Sequence, residues 1–307
     1  MLSYSSKPSH YSMKWNKLAR QMISQLHQKT PIDVIHSQSM GANGVLKWAK
    51  SNSIPIVSTW HGTNLTELSA HFSSASYNPR YWHWLVITPI TMLTRYLTME
   101  LPIRKASSAI TLVSPTLEKH MRKHANGKVF TIPNGVFIPK NPETNFDSKV
   151  LELISIGRLV KQKGVQHTIH SLYDLPENLR SKVHLNIVGE GPYLTELKHL
   201  CANLEMDSCV TFHGRMVGDA LANMYEKCQI HLMPTTSHEG LPLTILEGMS
   251  YGLVTIASNI GGIPSLITHR EDGLLISPGN REDLTDNLVA ILEDRSIMKT
   301  ISKAART

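Results

Sequence analysis

From residue 151 onward the chain repeats one pattern: a short apolar run, a glycine-bearing turn, then a helical stretch. The runs fall at 151–156, 183–188, 210–212, 229–233, 253–257 and 273–276. Strands that alternate with helices need crossover connections. A parallel sheet with helices packed on it is the arrangement that accommodates them. The first part of the chain carries a looser version: a helix over 13–27, a strand at 32–36, a helix near 45–50 and a strand at 54–59. An aromatic helix over 82–93, a strand at 108–113, a helix over 115–123 and a strand at 129–132 follow. The last strand ends in Pro133-Asn134-Gly135, a strong turn signal. Residues 139–149 hold two prolines, two asparagines and little that is apolar. The expected organisation is therefore an α/β chain of two Rossmann-like units, 1–140 and 150–307, joined by a linker at 141–149.

Composition narrows the function classes. With 41% hydrophobic and 18% charged residues the chain has material for a real core, which excludes a disordered or collagen-like chain. Thirty-one Lys and Arg against 24 Asp and Glu give a formal charge of +7, which favours an anionic partner: phosphates, nucleic acid or an acidic membrane surface. No recognition helix, RNP-like aromatics or dense basic stripe accompanies the charge, so nucleic acid is not an expected partner. Cys201, Cys209 and Cys228 form no CxxC pair, which suits a reducing compartment. The 16 histidines show no zinc-ligand spacing, and no metal is expected. The start of the chain is polar without an apolar leader, and a cytoplasmic location is expected. The run at 82–93 is shorter than a membrane span, contains Pro89 and is followed by Arg95. It reads as a buried or interfacial helix.

In open parallel sheets, ligands sit beyond the carboxyl ends of the strands. The first such loop, Gly157-Arg158-Leu159-Val160-Lys161-Gln162-Lys163-Gly164, brackets three cations between glycines. Arg158 can fork onto phosphate oxygens and Lys163 can add a point charge, although a solvated basic turn has the same composition. Gly189-Glu190-Gly191-Pro192 lacks a third glycine and reads as a tight turn. Pro234 to Pro242, containing Glu239, Gly240 and Leu241, leads into a helical stretch from Leu243. A helix N-terminus is a seat for a diphosphate. Glu247 lies in a small, apolar stretch of that helix. There it either accepts from a sugar or ribose diol or is an ordinary helical glutamate. Gly261-Gly262-Ile263-Pro264 is a further tight loop. His61-Gly62 ends a strand of the first unit, where the histidine either faces a cleft or is structural. Residues 64–81 carry no readable pattern.

Together these loops, with His213-Gly214-Arg215, Gly252 and Asp272-Gly273, resemble the family 4 glycosyltransferases. Asp33-Val34-Ile35-His36, His61-Gly62 and Pro133-Asn134-Gly135-Val136 match that family's weaker landmarks. The resemblance implies a GT-B fold, two Rossmann-like domains facing across a cleft, and retaining transfer from a nucleotide-diphosphate sugar. The expected acceptor is a saccharide or lipid-linked saccharide, in surface polysaccharide synthesis, with peripheral contact at the inner face of a membrane. It assigns Arg158 and Lys163 to the diphosphate, Glu239 and His61 to the transferred sugar, and Glu247 to the ribose. Gly157, Gly189, Gly191, Gly240, Leu241 and Leu243 line the donor seat, and Arg215 and Val217 lie near the base. The resemblance implies no metal and no other cofactor, and no DxD motif is present. Ser265 stands where the family often has glutamate. The family's opening strand and Gly-rich loop have no counterpart here, so the N-terminal domain is expected to be incomplete. That leaves a competing expectation: a product that binds nucleotide sugar without transferring it. A nucleotide-sugar epimerase on the same fold fits the Arg158/Lys163 and Glu239/Glu247 pattern less well.

Overall fold

The computed structural model describes residues 13–63, 82–140 and 144–307, with side chains of the aromatic helix described from Pro89. The start of the chain, residues 64–81 and part of the expected linker lie outside these residues. The chain divides into two compact units, 1–133 and 134–307.

The first unit holds α1 (Met13–Lys29), β1 (Ile35–Gln38), α2 (Leu46–Ser51) and β2 (Ile56–Trp60). It continues through α3 (Trp82–Arg95), α4 (Leu101–Ala106), β3 (Ala109–Leu112), α5 (Glu118–Arg122) and β4 (Lys128–Thr131). Its four described strands are parallel and lie in chain order, β1-β2-β3-β4. Right-handed crossovers that always step the same way place their helices on one face. The burial agrees: Ile56, Ser58, Trp60, Ile110 and Leu112 are buried, whereas His36 and Gln38 are exposed and Thr59 and Thr111 half-buried. Pro89 sits within α3 without ending it, and a π-helical turn, Tyr96–Glu100, carries the chain into α4. Arg104 is fully buried, ion-paired to Glu100, with its guanidinium 5.7 Å from the Trp60 ring centre and 5.5 Å from that of Tyr96. This is how a charge is tolerated inside: paired, and stacked on aromatic faces.

The second unit holds β5 (Leu151–Ile156), α6 (Val165–Asp174), α7 (Glu177–Arg180), β6 (Val183–Val188), α8 (Leu194–Asn203) and β7 (Val210–Gly214). After these come α9 (Asp219–Lys227), β8 (Ile230–Met233), α10 (Leu243–Ser250), β9 (Val254–Ser258), β10 (Leu274–Ile276), α11 (Arg281–Glu293) and α12 (Ser296–Ala305). Six parallel strands run in the order β10-β9-β8-β5-β6-β7. Every residue of β8 and β9 is buried, as expected of central parallel strands covered on both faces. The main core packs Leu153, Leu185, Ile230, Leu232 and Ile256 against Ile169, Leu197 and Leu288.

The segment expected as a linker belongs to the second unit where it is described. Phe146 is buried in that unit's core. The Phe146 carbonyl accepts from Arg295 Nη1 at 3.1 Å, and Thr144 Oγ1 donates to the Tyr251 carbonyl at 3.0 Å. The stretch lacks periodicity because one apolar anchor and side-chain bonds to its backbone hold it down. Among the described residues no helix is long and apolar enough to cross a membrane.

Candidate active site

Among the described residues the second sheet is the one that reverses its strand order, between β5 and β8, and ligands of open parallel sheets sit at such a reversal, beyond the carboxyl ends of the strands. Two loops meet there, one after β5 and one after β8. Gly164 has φ +79°, and a Cβ on it would collide with the Pro234 carbonyl oxygen. Glycine is thus what lets the turn Lys161–Lys163 lie directly on the β8 loop. The contact is stitched by Thr236 N–H to the Gln162 carbonyl at 2.8 Å and by Thr235 Oγ1 to the same oxygen at 3.0 Å.

This packing brings two predicted residues together. Lys163 Nζ lies 2.8 Å from Glu239 Oε1, with 28% and 15% of their side chains exposed. The same carboxylate oxygen accepts from Thr235 Oγ1 at 3.2 Å and Ser237 Oγ at 3.4 Å. The backbone of Glu239 is clamped from the β9 side, where the Gly262 N–H donates to its carbonyl at 2.8 Å. The loop Gly261-Gly262-Ile263-Pro264, read from sequence only as a tight turn, is therefore the buttress of Glu239.

Arg158 is exposed, and among the described residues nothing neutralises its guanidinium. It follows Gly157, whose N–H bonds the Val188 carbonyl at 3.0 Å. Gly189 continues the row, its N–H bonding the Gly214 carbonyl at 2.7 Å. Gly191 passes so close to the Leu159 carbonyl that a Cβ would not fit. Pro242 sits one residue before α10, not within its first turn, and no side chain caps the helix. The first-turn amides are left for a ligand or solvent. Gly240 is half-buried, Leu241 is buried and its carbonyl accepts from Asn134 Nδ2 at 3.1 Å, and Leu243 is 48% exposed.

Glu247 lies in the second turn of α10 and is half-buried. Its Oε2 accepts a 2.7 Å hydrogen bond from the Tyr225 hydroxyl on α9. Tyr225 is 2% exposed and stacks on Tyr251, ring centres 5.3 Å apart and planes 15° apart. Burial, and then the carboxylate beside it, push the Tyr225 phenol well above the usual tyrosine range, so it remains a donor. Sequence reading missed Tyr225: it lies 22 positions before Glu247 in an ordinary amphipathic helix, with no motif around it. Thr235 was missed too, and its signal was only a hydroxyl in a buried strand-end position.

Arg215 and Val217 follow β7, and both are exposed. His61 belongs to the first unit, just past β2, and its Nε2 is 2.8 Å from Gln38 Oε1. Partial burial lowers its pKa, which favours the neutral imidazole. The second-unit site thus offers the exposed Arg158 guanidinium, one lysine shared with a carboxylate, an uncapped helix start and a buttressed glutamate. Such a set suits a phosphate-bearing ligand with hydroxyl groups.

Residues 138–307, more than half of the chain, match the model of the family described as glycosyl transferases group 1, and residues 4–138 match the model of Glycosyltransferase Family 4. The chain belongs to the group 1 glycosyl transferases. The chain is 28% identical over 302 residues to the sulfoquinovosyl transferase SQD2 of Arabidopsis thaliana, covering 94% of this chain and 55% of that protein. It is 24% identical to the N-acetyl-alpha-D-glucosaminyl L-malate synthase of Bacillus anthracis, covering 92% and 71%. It therefore spans little more than half of the plant relative's length. Among solved structures it is similar to sucrose-phosphate synthase from Thermosynechococcus elongatus, TM-score 0.74 at 19% identity, covering 98% of this chain and 76% of that one. It is also similar to HepE of Anabaena in complex with UDP and glucose, TM-score 0.73 at 19% identity, covering 93% and 76%. These likenesses establish the GT-B fold expected from the loops.

Proposed function

We propose that this transferase moves a sugar, with retention at the anomeric carbon, from a nucleotide-diphosphate donor to a saccharide or lipid-linked saccharide. The reading places it on the cytoplasmic side of a membrane, in surface polysaccharide synthesis. The observation that carries it is the Lys163–Glu239 pair, which joins the loop that bears Arg158 to the loop that leads into the uncapped start of α10, at the strand-order reversal. HepE binding UDP and glucose on this fold is consistent with such a donor.

In this reading the leaving nucleoside diphosphate gains charge on its phosphate oxygens. Arg158, Lys163 and the first amides of α10 oppose that charge from fixed positions, so no metal is required. Lys163 is held by Glu239 before the donor arrives. Binding then shares the ammonium between carboxylate and phosphate, while Glu239 and His61 accept or donate hydrogen bonds to the sugar. Glu247 accepts from the ribose hydroxyls. Gly157, Gly189, Gly191, Gly240, Leu241 and Leu243 line the donor, and Arg215 and Val217 flank its base. Retention is read as same-face attack assisted by the leaving phosphate.

The test is donor turnover by the full chain against a panel of nucleotide sugars. Arg158→Ala and Glu239→Ala are each expected to lose on the order of 100-fold or more, the scale of removing one preorganised charge partner. Folded variants that both turn over donor like wild type overturn the assignment. Nucleotide binding without transfer or hydrolysis by wild type leaves only the donor-binding part of the reading.

A further inference from the structure

One side chain of the second unit leaves the ladder of its strand beside the proposed site. In β7, Phe212 pairs with Ile187 of β6 and Gly214 pairs with Val188, so His213 is the extra residue of a β-bulge. Gly214 has φ +68°, and its carbonyl accepts from the Gly189 N–H at 2.7 Å. The bulge therefore stands where the loops after β6 and β7 meet, at the carboxyl end of the sheet. Bulges re-aim a side chain and are frequent next to ligand sites.

A chain of hydrogen bonds across three strands fixes what the His213 ring presents. Lys227 Nζ on α9 lies 3.0 Å from Glu152 Oε1 on β5. Glu152 Oε2 accepts from Asn186 Nδ2 at 2.8 Å, and the Leu153 carbonyl accepts from the same nitrogen at 3.2 Å. Asn186 is fully buried. Turned over, its amide would set an oxygen against a carboxylate and a carbonyl, so Oδ1 is the atom assigned to His213. His213 Nε2 lies 2.8 Å from that oxygen and therefore carries the proton. Burial first, then Lys227 and His184, hold the His213 pKa below the ordinary imidazole value, against a pull from Glu152 in the other sense. The ring is thus neutral near pH 7, and its Nδ1 is a bare acceptor. Among the described residues nothing donates to that Nδ1, and solvent reaches it. The network fixes one tautomer and leaves its acceptor open.

We propose that His213 is a specificity-determining residue whose Nδ1 accepts from a ring N–H of the donor's nucleobase. Uracil and guanine carry such an N–H, whereas adenine and cytosine do not. The residues read as flanking the base, Arg215 and Val217, follow the histidine by two and four positions. An acceptor that meets a base without the hydrogen loses the bond and is left desolvated, and this is how one atom selects. The locked tautomer matters here, because a ring free to move its proton to Nδ1 could serve either kind of base. The inference rests on the nucleotide-sugar donor proposed above and narrows its base.

The experiment is calorimetry of the full chain with UDP against CDP and with GDP against ADP. In whichever pair binds more tightly, wild type is expected to favour the ring N–H base by roughly tenfold or more. His213→Gln keeps an N–H for Asn186 Oδ1 but has no acceptor where Nδ1 stood. That variant is expected to lower the affinity ratio by roughly tenfold, with unchanged circular dichroism. His213→Asn, whose amide oxygen can take the place of Nδ1, is expected to keep part of the ratio. A His213→Gln variant that weakens both nucleotides alike and leaves the ratio as in wild type makes the histidine structural and overturns the inference. Wild type that binds nucleotides without favouring the ring N–H overturns it too, while the donor reading stands. Failure of wild type to bind any of the four overturns both.

Discussion

Tyr225→Phe isolates one atom of the protein, the hydroxyl that donates to Glu247 Oε2 at 2.7 Å. Phenylalanine keeps the ring that stacks on Tyr251 and fills the same buried space, so the core loses little. What changes is the carboxylate, which keeps its charge but loses the donor that fixes its rotamer. A hydrogen bond to a charged group contributes about 1.5–3 kcal/mol. Solvent reaches the half-buried Glu247 and repays part of that, so roughly 1–2 kcal/mol is expected to appear as lost donor affinity, about 5- to 30-fold. The effect should fall on KM more than on kcat, because the ribose is remote from the bond that breaks. Calorimetry with nucleoside diphosphates and their 2′- and 3′-deoxy analogues separates the possibilities. Wild type should prefer the ribose forms, Glu247→Ala should not, and Tyr225→Phe should fall between. If Glu247→Ala loses the preference while Tyr225→Phe keeps all of it, the hydroxyl does not position the carboxylate. If wild type shows no preference, Glu247 does not read the ribose at all.

Other outcomes follow from single features. Gly164→Ala forces a Cβ toward the Pro234 carbonyl at φ +79°; thermal melting should register a loss of more than about 2 kcal/mol, and turnover should fall as Lys163 leaves Glu239. His231 is fully buried with neither ring nitrogen bonded, and burial pushes its pKa down to about 4. Between that value and roughly 6.5 the unfolded chain binds a proton that the native chain refuses, so stability is lost as pH is lowered through this window, by up to about 3 kcal/mol. Denaturant melts of His231→Leu should show a much flatter dependence there, and an unchanged slope would remove His231 as its source. Burial pushes the thiols of Cys201 and Cys228 up to about 12 and raises that of half-buried Cys209. A disulfide reagent at neutral pH should therefore find no rapidly reacting thiol in the native protein.

The six strands of the second unit were legible because buried parallel strands read as short apolar runs bounded by glycine. Their boundaries moved by no more than two residues, as at β7, which runs two residues past Phe212. The first unit was harder. Its strands alternate, with His36 and Gln38 exposed on β1 beside the buried Ser37, and so look less like core. The π-helical turn after α3 left no trace in the pattern, because an i to i+5 turn changes the helical spacing too little to read in five residues. In the site, Lys163 and Glu239 were visible through the glycines around them. Their pairing was not, because 76 positions separate them and only the neighbouring of β5 and β8 closes that distance. Tyr225 was illegible for the same reason. A side chain that acts through another residue carries no local signature.

The two sheets have separate cores, Trp60, Ile110 and Leu112 in one and Leu153, Ile230 and Ile256 in the other. Arg158, Lys163, Glu239 and Glu247 all belong to the second. Mass action by a nucleoside diphosphate should therefore act directly on the second core, raising its stability by about 2.7 kcal/mol at a hundredfold excess over Kd. A melt of the protein can thus report ligand occupancy before any acceptor has been identified.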